Sequence, residues 1–335
     1  MATVDEKQVV QTDQETIVKV EDLKKYFPIK GGILKRTIGH VKAVDGVTFD
    51  IKKGETLGIV GESGSGKSTL GRMILRLLEP TEGKILFQEN DITHLKNHKM
   101  RPIRKDMQII FQDPFASLNT KMSVEQLIEE PLLIQTNMTK KERKEKVKEL
   151  LEKVGLRASD RLKYPHEFSG GQRQRISIAR ALAINPKFVI ADEAVSALDV
   201  SIQAQVLNLM SDLQEDFGLT YLFISHDLSV VKHISDRVGV MYLGRLAEIA
   251  PKKDIYENPL HPYTQALLSS IPDTDVDRER ETVHLEGDLP SPSNPPSGCA
   301  FRTRCPMAHE RCAVDRPELQ HMGEGHYVAC HLYDE

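Results

Sequence analysis

The sequence predicts an α/β fold with a parallel core, an antiparallel β layer, an inserted α-helical subdomain and a small loop-rich, cysteine-containing C-terminal extension. Three observations lead there. Residues 55–60, 187–192 and 219–225 are apolar runs of strand length, the pattern of strands covered on both faces. Residues 17–23 and 41–51 instead alternate apolar and polar positions, as antiparallel strands with one wet face do. Beyond Pro251 prolines become frequent, at Pro259, Pro262, Pro272 and through 289–298, and all four cysteines fall between positions 299 and 330.

At 335 residues the chain has room for one large or two modest domains. Its 39% hydrophobic and 28% charged residues are those of an ordinary globular protein with a buried core. A net charge of −4 and a pI of about 6.3 argue against a nucleic-acid-binding surface. No apolar run reaches the ~18 residues of a membrane helix, and residues 1–8 lack the apolar core of a signal peptide. The expectation is a cytoplasmic protein that works at a membrane only through a partner.

In chain order, residues 1–15 are polar and read as a disordered tail. The first alternating strand is followed by Tyr26, the basic, glycine-containing stretch 30–39 reads as a loop, and 52–54 is a turn into the apolar run at 55–60. Residues 69–78 carry apolar side chains at helical spacing. A loop at 79–83 precedes a short strand at 84–87, and 106–112 reads as another, broken by 113–119. From 123 to about 183 the pattern is helical. There Thr139 and Glu142 form a capping box, Val147, Leu150, Leu151 and Val154 the apolar stripe behind it, and Gly155 the stop. The alternating charges of 140–148 read as a solvated helix face. Residues 203–217 form an amphipathic helix capped by Gly218, and 238–242 and 245–249 flank Leu243-Gly244 as a hairpin.

Between the strand at 55–60 and the helix after it stands Gly61-Glu62-Ser63-Gly64-Ser65-Gly66-Lys67-Ser68-Thr69, which matches the phosphate-binding P-loop, G-x-x-x-x-G-K-S/T. Strand, glycine-rich turn and helix is the context that motif needs. The glycines let backbone N–H groups point at an anion, and the helix adds its positive N-terminal end. Lys67 would reach the β- and γ-phosphates of a nucleotide, and the Ser68 hydroxyl would ligate Mg2+. The core is thereby assigned to the P-loop NTPase, RecA-like class.

Asp192 ends an apolar strand beyond the P-loop strand, at the edge where open parallel sheets bind ligands. There it would hold Mg2+, while Glu193 would orient or deprotonate an attacking water. Ser169-Gly170-Gly171-Gln172 opens a helix. It reads either as an ordinary N-cap at Ser169 or as a second anion-binding helix N-terminus. A P-loop already serves one nucleotide, so the second reading implies action in trans, on the nucleotide of another subunit.

This ordered series resembles the ATP-binding subunits of ABC transporters and, within them, the oligopeptide/dipeptide importer ATPases of the OppF type, from about residue 17 onward. The resemblance makes Gly61, Ser63, Gly64, Gly66, Lys67, Ser68 and Thr69 the Walker A contacts to ATP, and Gln112 the Q-loop residue, on Mg2+ and in catalysis. It makes Ser169, Gly170, Gly171 and Gln172 the signature motif, Asp192 and Glu193 the end of Walker B, Asp199 the D-loop acid, His226 the switch histidine and Tyr26 the aromatic that stacks on adenine. Two positions depart from the family pattern: Phe168 stands for the usual Leu and Ala194 for the usual Pro. Neither removes a functional group, so a hydrolysis-competent site is expected. The domains implied are an ABC ATPase over 16–258, with its helical subdomain at about 113–183, and an extension over 259–335.

The same resemblance implies a mechanism and partners. Two ATPase subunits would pair head to tail, here as a heterodimer with an OppD-like subunit, each ATP lying between the Walker A of one and the signature of the other. ATP would close the interface and hydrolysis reopen it. Two transmembrane permease subunits would dock at a groove near residues 113–119, and an extracytoplasmic peptide-binding protein would deliver the substrate. The chain would then be peripheral, on the cytoplasmic face of the cell membrane.

Cys299, Cys305, Cys312 and Cys330 cluster in sequence, and disulfides are disfavoured in a reducing cytosol, which points to metal binding. Their spacing lacks the C-x2-C knuckle typical of structural zinc sites, and four thiolates suit an iron–sulfur cluster equally well. The resemblance implies a 4Fe–4S cluster there, with zinc and free or partner-binding thiols as alternatives. The leading reading is an ATPase energising oligopeptide or dipeptide uptake. Its rivals are a soluble non-transport ABC ATPase, a cluster-binding regulatory module, and an importer ATPase for nickel chelates or murein peptides.

Overall fold

The structure, a computed structural model, describes residues 15–32, 35–270 and 287–334, without the side chains of Phe115 and Ala116. The expected tail, apart from Glu15, and Pro272 lie outside the described residues.

Two sheets organise the α/β architecture. The larger has eight strands in the order Gln320–Gly323, His326–Val328, Arg245–Pro251, Arg237–Tyr242, Thr56–Val60, Thr220–Ile224, Phe188–Asp192, Met107–Ile110. Its last five strands are parallel and the first three add on antiparallel. The smaller sheet is antiparallel, with Thr16–Gly31 between Arg36–Lys52 and Glu82–Phe87. The central strands are apolar throughout because each feeds two cores. Val189, Ala191, Tyr221 and Phe223 pack toward the helical subdomain, while Phe188, Ile190, Leu222 and Ile224 pack toward the small sheet.

The helical subdomain is built from Val124–Gln135, Lys140–Lys153 and Gly170–Leu182. The Thr139 capping box forms in both directions, and Gly155 takes the left-handed conformation that ends the second helix. Leu243 and Gly244, both at positive φ, turn the expected hairpin.

Three elements differ from the sequence reading. The loop expected at 30–39 is mostly strand: Ile29 pairs with Gly39 and Gly31 with Arg36, so the hairpin runs on to a turn at its tip. Backbone pairing sustains it where side-chain alternation has faded. The P-loop helix, Lys67–Ile74, stops short of residue 78 because Arg76 takes φ 54° and sends its guanidinium to the Ile92 carbonyl at 2.9 Å. The C-terminal extension is more than loops: its two short strands cover the edge that Arg245–Pro251 would otherwise leave open.

Buried polar groups knit the extension to the sheet. The Glu248 carboxylate, fully buried, accepts from the backbone of Leu260 (2.7 Å) and His261 (3.0 Å) and from His326 Nε2 (2.7 Å). His261 Nδ1 accepts from the Tyr263 backbone at 3.0 Å, which requires the neutral ring. Burial drives the His261 pKa down to about 4, against the opposing charge of Glu248. The unfolded chain therefore binds one more proton between pH 4 and the ordinary histidine value near 6.5. Stability is retained above that value and lost as pH falls. Acidification from pH 7 to 5 should cost about 2 kcal/mol through this residue, read as a steeper acid loss of thermal midpoint in the parent than in His261→Gln.

Candidate nucleotide site

The P-loop closes against backbone on both sides. A Cβ at Gly61 (φ 149°) would meet the Met241 carbonyl at 2.1 Å, and one at Gly66 (φ 102°) the Ala43 carbonyl at 2.1 Å. No other residue fits there. Gly64 (φ 82°) and Ser63 form the turn between them, and Lys67, Ser68 and Thr69 begin the helix. Lys67 is 4% exposed, and its ammonium donates to the carbonyls of Gly61 (2.7 Å) and Glu62 (3.0 Å). Burial lowers its pKa, opposed by Glu193, Asp192 and Glu62.

Ser68 Oγ donates to Asp192 Oδ1 at 2.6 Å, and Arg72 stands 3.9 Å from the other carboxylate oxygen. Burial pushes the Asp192 carboxyl up, against the pull of Ser68 and Arg72. A hydroxyl and a carboxylate side by side are hard oxygen donors of the kind Mg2+ takes, the remaining positions falling to phosphate and water. The residues fit that ion.

Glu193 follows at φ 51°, a conformation costing a non-glycine residue about 1 kcal/mol, and is pinned by its N–H to the Ile224 carbonyl at 2.9 Å. The bend aims its side chain at two others. Glu193 Oε2 accepts from Gln112 Nε2 at 2.8 Å and lies 3.5 Å from His226 Nδ1. Gln112, just past the strand Met107–Ile110, and His226, just past Thr220–Ile224, reach it from strands on either side of Phe188–Asp192. Three residues far apart in sequence thus meet at one carboxylate oxygen.

Other expected residues are placed differently. Ser169 caps its helix: Oγ accepts from Gln172 N–H, and the Gln172 side chain accepts from Ser169 N–H. Gly171 packs on Ile202, where a Cβ would clash at 2.5 Å, and Gly170 lies beside Leu198. Among the described residues no hydrogen bond or ion pair joins Ser169, Gly170, Gly171 or Gln172 to the P-loop. Asp199, exposed, precedes the helix Val200–Phe217 without capping it. Tyr26 is half-buried, donates its hydroxyl to Asp45 and has the Lys42 ammonium 5.7 Å from its ring centre. Burial and Asp45 push its pKa to about 12.

The cysteine expectation finds no support in the structure. Among the described residues no group of three or more His, Cys, Asp or Glu is placed to hold a metal ion. Cys299, Cys305, Cys312 and Cys330 are free thiols in one region, where Cys299 N–H donates to the Cys312 carbonyl at 2.8 Å. Burial raises the pKa of Cys299 and Cys305, and that of Cys330 to about 11, with the neighbouring thiols adding to it. Among the described residues nothing supports the expected 4Fe–4S cluster, or zinc as its alternative.

Sequence reasoning also missed the contacts between the extension and the loop. Arg304 grips Glu62, and Tyr263 receives the Glu62 N–H, across 242 and 201 positions of chain. No local pattern signals either.

Comparison with known proteins agrees with this geometry. The chain matches the ABC transporter family over residues 44–196 and the oligopeptide/dipeptide transporter C-terminal region over 247–312. It is 61% identical over 326 residues to the oligopeptide transport ATP-binding protein AppF of Bacillus subtilis, covering 96% of this chain and 98% of that one. It is 54% identical over 314 residues to a putative peptide import ATP-binding protein of Brucella ovis, covering 94% and 97%. Among solved structures, a dimeric ATP-binding cassette in a post-hydrolysis state with ADP and Pi matches with TM-score 0.63 and 30% identity, over 70% of this chain and 99% of that one. A Clostridium perfringens component of the cbiONQ ABC transporter complex matches with TM-score 0.64 and 29% identity, over 73% and 92%. The chain belongs to the ATP-binding proteins of ABC transporters, an ATPase cassette followed by an oligopeptide/dipeptide transporter C-terminal region.

Proposed function

We propose that this chain hydrolyses ATP to drive the import of oligopeptides or dipeptides, working on the cytoplasmic face of the membrane. It pairs head to tail with a second, OppD-like ATPase beneath two permease subunits, which an extracytoplasmic peptide-binding protein supplies. One observation carries the hydrolytic part: Gln112 and His226 converge on Glu193 Oε2, beside the Ser68–Asp192 pair. The names of the relatives carry the peptide part.

In this reading Lys67 and the P-loop N–H groups hold the β- and γ-phosphates, and Tyr26 faces the adenine. Glu193 takes a proton from the attacking water, while Gln112 and His226 orient that water and the γ-phosphoryl group. Mg2+, held by Ser68 and Asp192 with Gln112 nearby, would offset the phosphate charge. Ser169, Gly170, Gly171 and Asp199 serve the partner's nucleotide, in keeping with the exposure of Ser169 and Asp199 and the absence, among the described residues, of a bond from the signature to its own P-loop. A groove of about 320 Å3, lined by Phe111, Pro131, Ile134 and Arg180 among others, supports docking of a permease helix: Phe111 and Ile134 are 39% and 53% exposed beside it.

Co-purification from detergent-solubilised membranes tests the assignment. The expected result is recovery with two membrane subunits and a second ATPase, and ATPase activity that rises when the peptide-loaded binding protein is added. A chain that purifies without membrane subunits and hydrolyses ATP indifferently to peptide would contradict it.

A further inference from the structure

Glu62 fills a variable position of the P-loop, and the C-terminal extension holds it twice. Its carboxylate takes both arms of the Arg304 guanidinium, Oε2 from Nη1 at 2.7 Å and Oε1 from Nη2 at 2.9 Å. Its backbone N–H donates to the Tyr263 hydroxyl at 3.0 Å. Its carbonyl accepts from the Lys67 ammonium at 3.0 Å. One residue therefore connects the extension to the lysine that meets phosphate.

The surroundings fix this contact. The Arg304 side chain is 7% exposed and lies over the Tyr242 ring, 6.0 Å from its centre. Tyr242 packs edge-on against Tyr263 (4.7 Å) and Phe301 (5.3 Å), and Tyr263 is fully buried. A bidentate, largely desolvated Arg–carboxylate pair on an aromatic floor has a defined geometry that an exposed ion pair lacks. Leu289 approaches the same loop, 3.8 Å from where a Cβ of Gly64 would sit. Docking of the extension does not need Arg304. The Glu248 network and the pairing of Glu248 with Val328 already attach it to the sheet.

We propose that the C-terminal extension is a clamp, in cis, on the phosphate loop. Arg304 and Tyr263 are positioning residues that hold Glu62, and through its carbonyl Lys67, in the conformation that receives ATP. An unclamped loop gives up conformational freedom when ATP binds, so the clamp raises ATP affinity by preorganisation. The proposal rests on the reading of Gly61–Thr69 as the loop that takes ATP's phosphates.

The test is equilibrium binding of Mg-ATP to the full chain, with the nucleotide-free thermal midpoint measured alongside. Glu62→Gln and Arg304→Gln should each raise Kd about tenfold, and the double variant should be no weaker than the singles, since both remove one contact. Arg304→Lys should recover part of the loss, one charge without the fork. The midpoint of Glu62→Gln should stay within about 2 °C of the parent, because the amide oxygen still accepts from one arm of Arg304 and the extension stays attached through the Glu248 network. Kd values within about twofold of the parent for both singles, multiplying effects in the double, or a lowered midpoint with unchanged Kd would each overturn the clamp. If Arg304→Gln does not fold, Glu62→Gln decides alone. Lys67→Ala separates the two readings: lost binding there beside normal binding in Glu62→Gln and Arg304→Gln sinks only the clamp, whereas unchanged binding in Lys67→Ala sinks the P-loop assignment.

Discussion

Glu193→Gln should lower the steady-state ATPase rate of the assembled transporter by at least about a hundredfold while leaving Mg-ATP binding within about threefold. The substitution keeps shape and volume and removes the one carboxylate on which Gln112 and His226 converge. An amide cannot accept a proton from water, so the loss falls on the chemical step. Binding should survive because Lys67, the loop N–H groups and the Ser68–Asp192 pair are untouched. Steady-state rates at saturating ATP, with binding measured separately, distinguish this from misfolding. Near-normal turnover would remove Glu193 from the chemistry and leave the convergence as a structural hydrogen bond.

The largest stability effect is expected at Glu248. Its carboxylate is fully buried and accepts two backbone N–H groups and His326 Nε2. Glu248→Ala leaves three donors facing a space too dry to satisfy them, and each orphan costs about 1–3 kcal/mol. Partial relaxation brings the total to roughly 3–5 kcal/mol, a fall of roughly 5–10 °C in the thermal midpoint of the nucleotide-free chain. Because the residue sits where Arg245–Pro251 meets His326–Val328, protease sensitivity should appear first in the extension. An unchanged midpoint would mean that water reaches the site and that the extension is held by other contacts.

What could be read from the sequence follows the range of the interactions. The P-loop, the Thr139 capping box and the Leu243-Gly244 turn are local devices, each specified by residues within a few positions, and each folds as read. The buried strands were legible because both faces are apolar, but not which core each residue joins, which the sheet decides. The hairpin beyond Lys30 was missed because backbone pairing carries it there. The strands Gln320–Gly323 and His326–Val328 are too short for any periodicity and exist because a neighbouring edge accepts them. For the cysteines, nearness in sequence suggested a ligand set, but among the described residues no three His, Cys, Asp or Glu are placed to hold a metal ion. Arg304 on Glu62 spans 242 positions, and charge complementarity at that distance leaves no trace in a single sequence.

The central claim is that the chain carries half of a site, its P-loop being completed by Ser169, Gly170 and Gly171 of another subunit. The direct measurement is the mass in solution of the Glu193→Gln chain with the ATPase that co-purifies with it, with and without Mg-ATP. ATP should convert separate subunits into a pair, and Ser169→Arg should abolish that conversion while leaving ATP binding by the same chain intact. Unchanged mass with ATP, together with full hydrolysis by the isolated parent chain and no effect of Ser169→Arg, would show a site complete within one subunit.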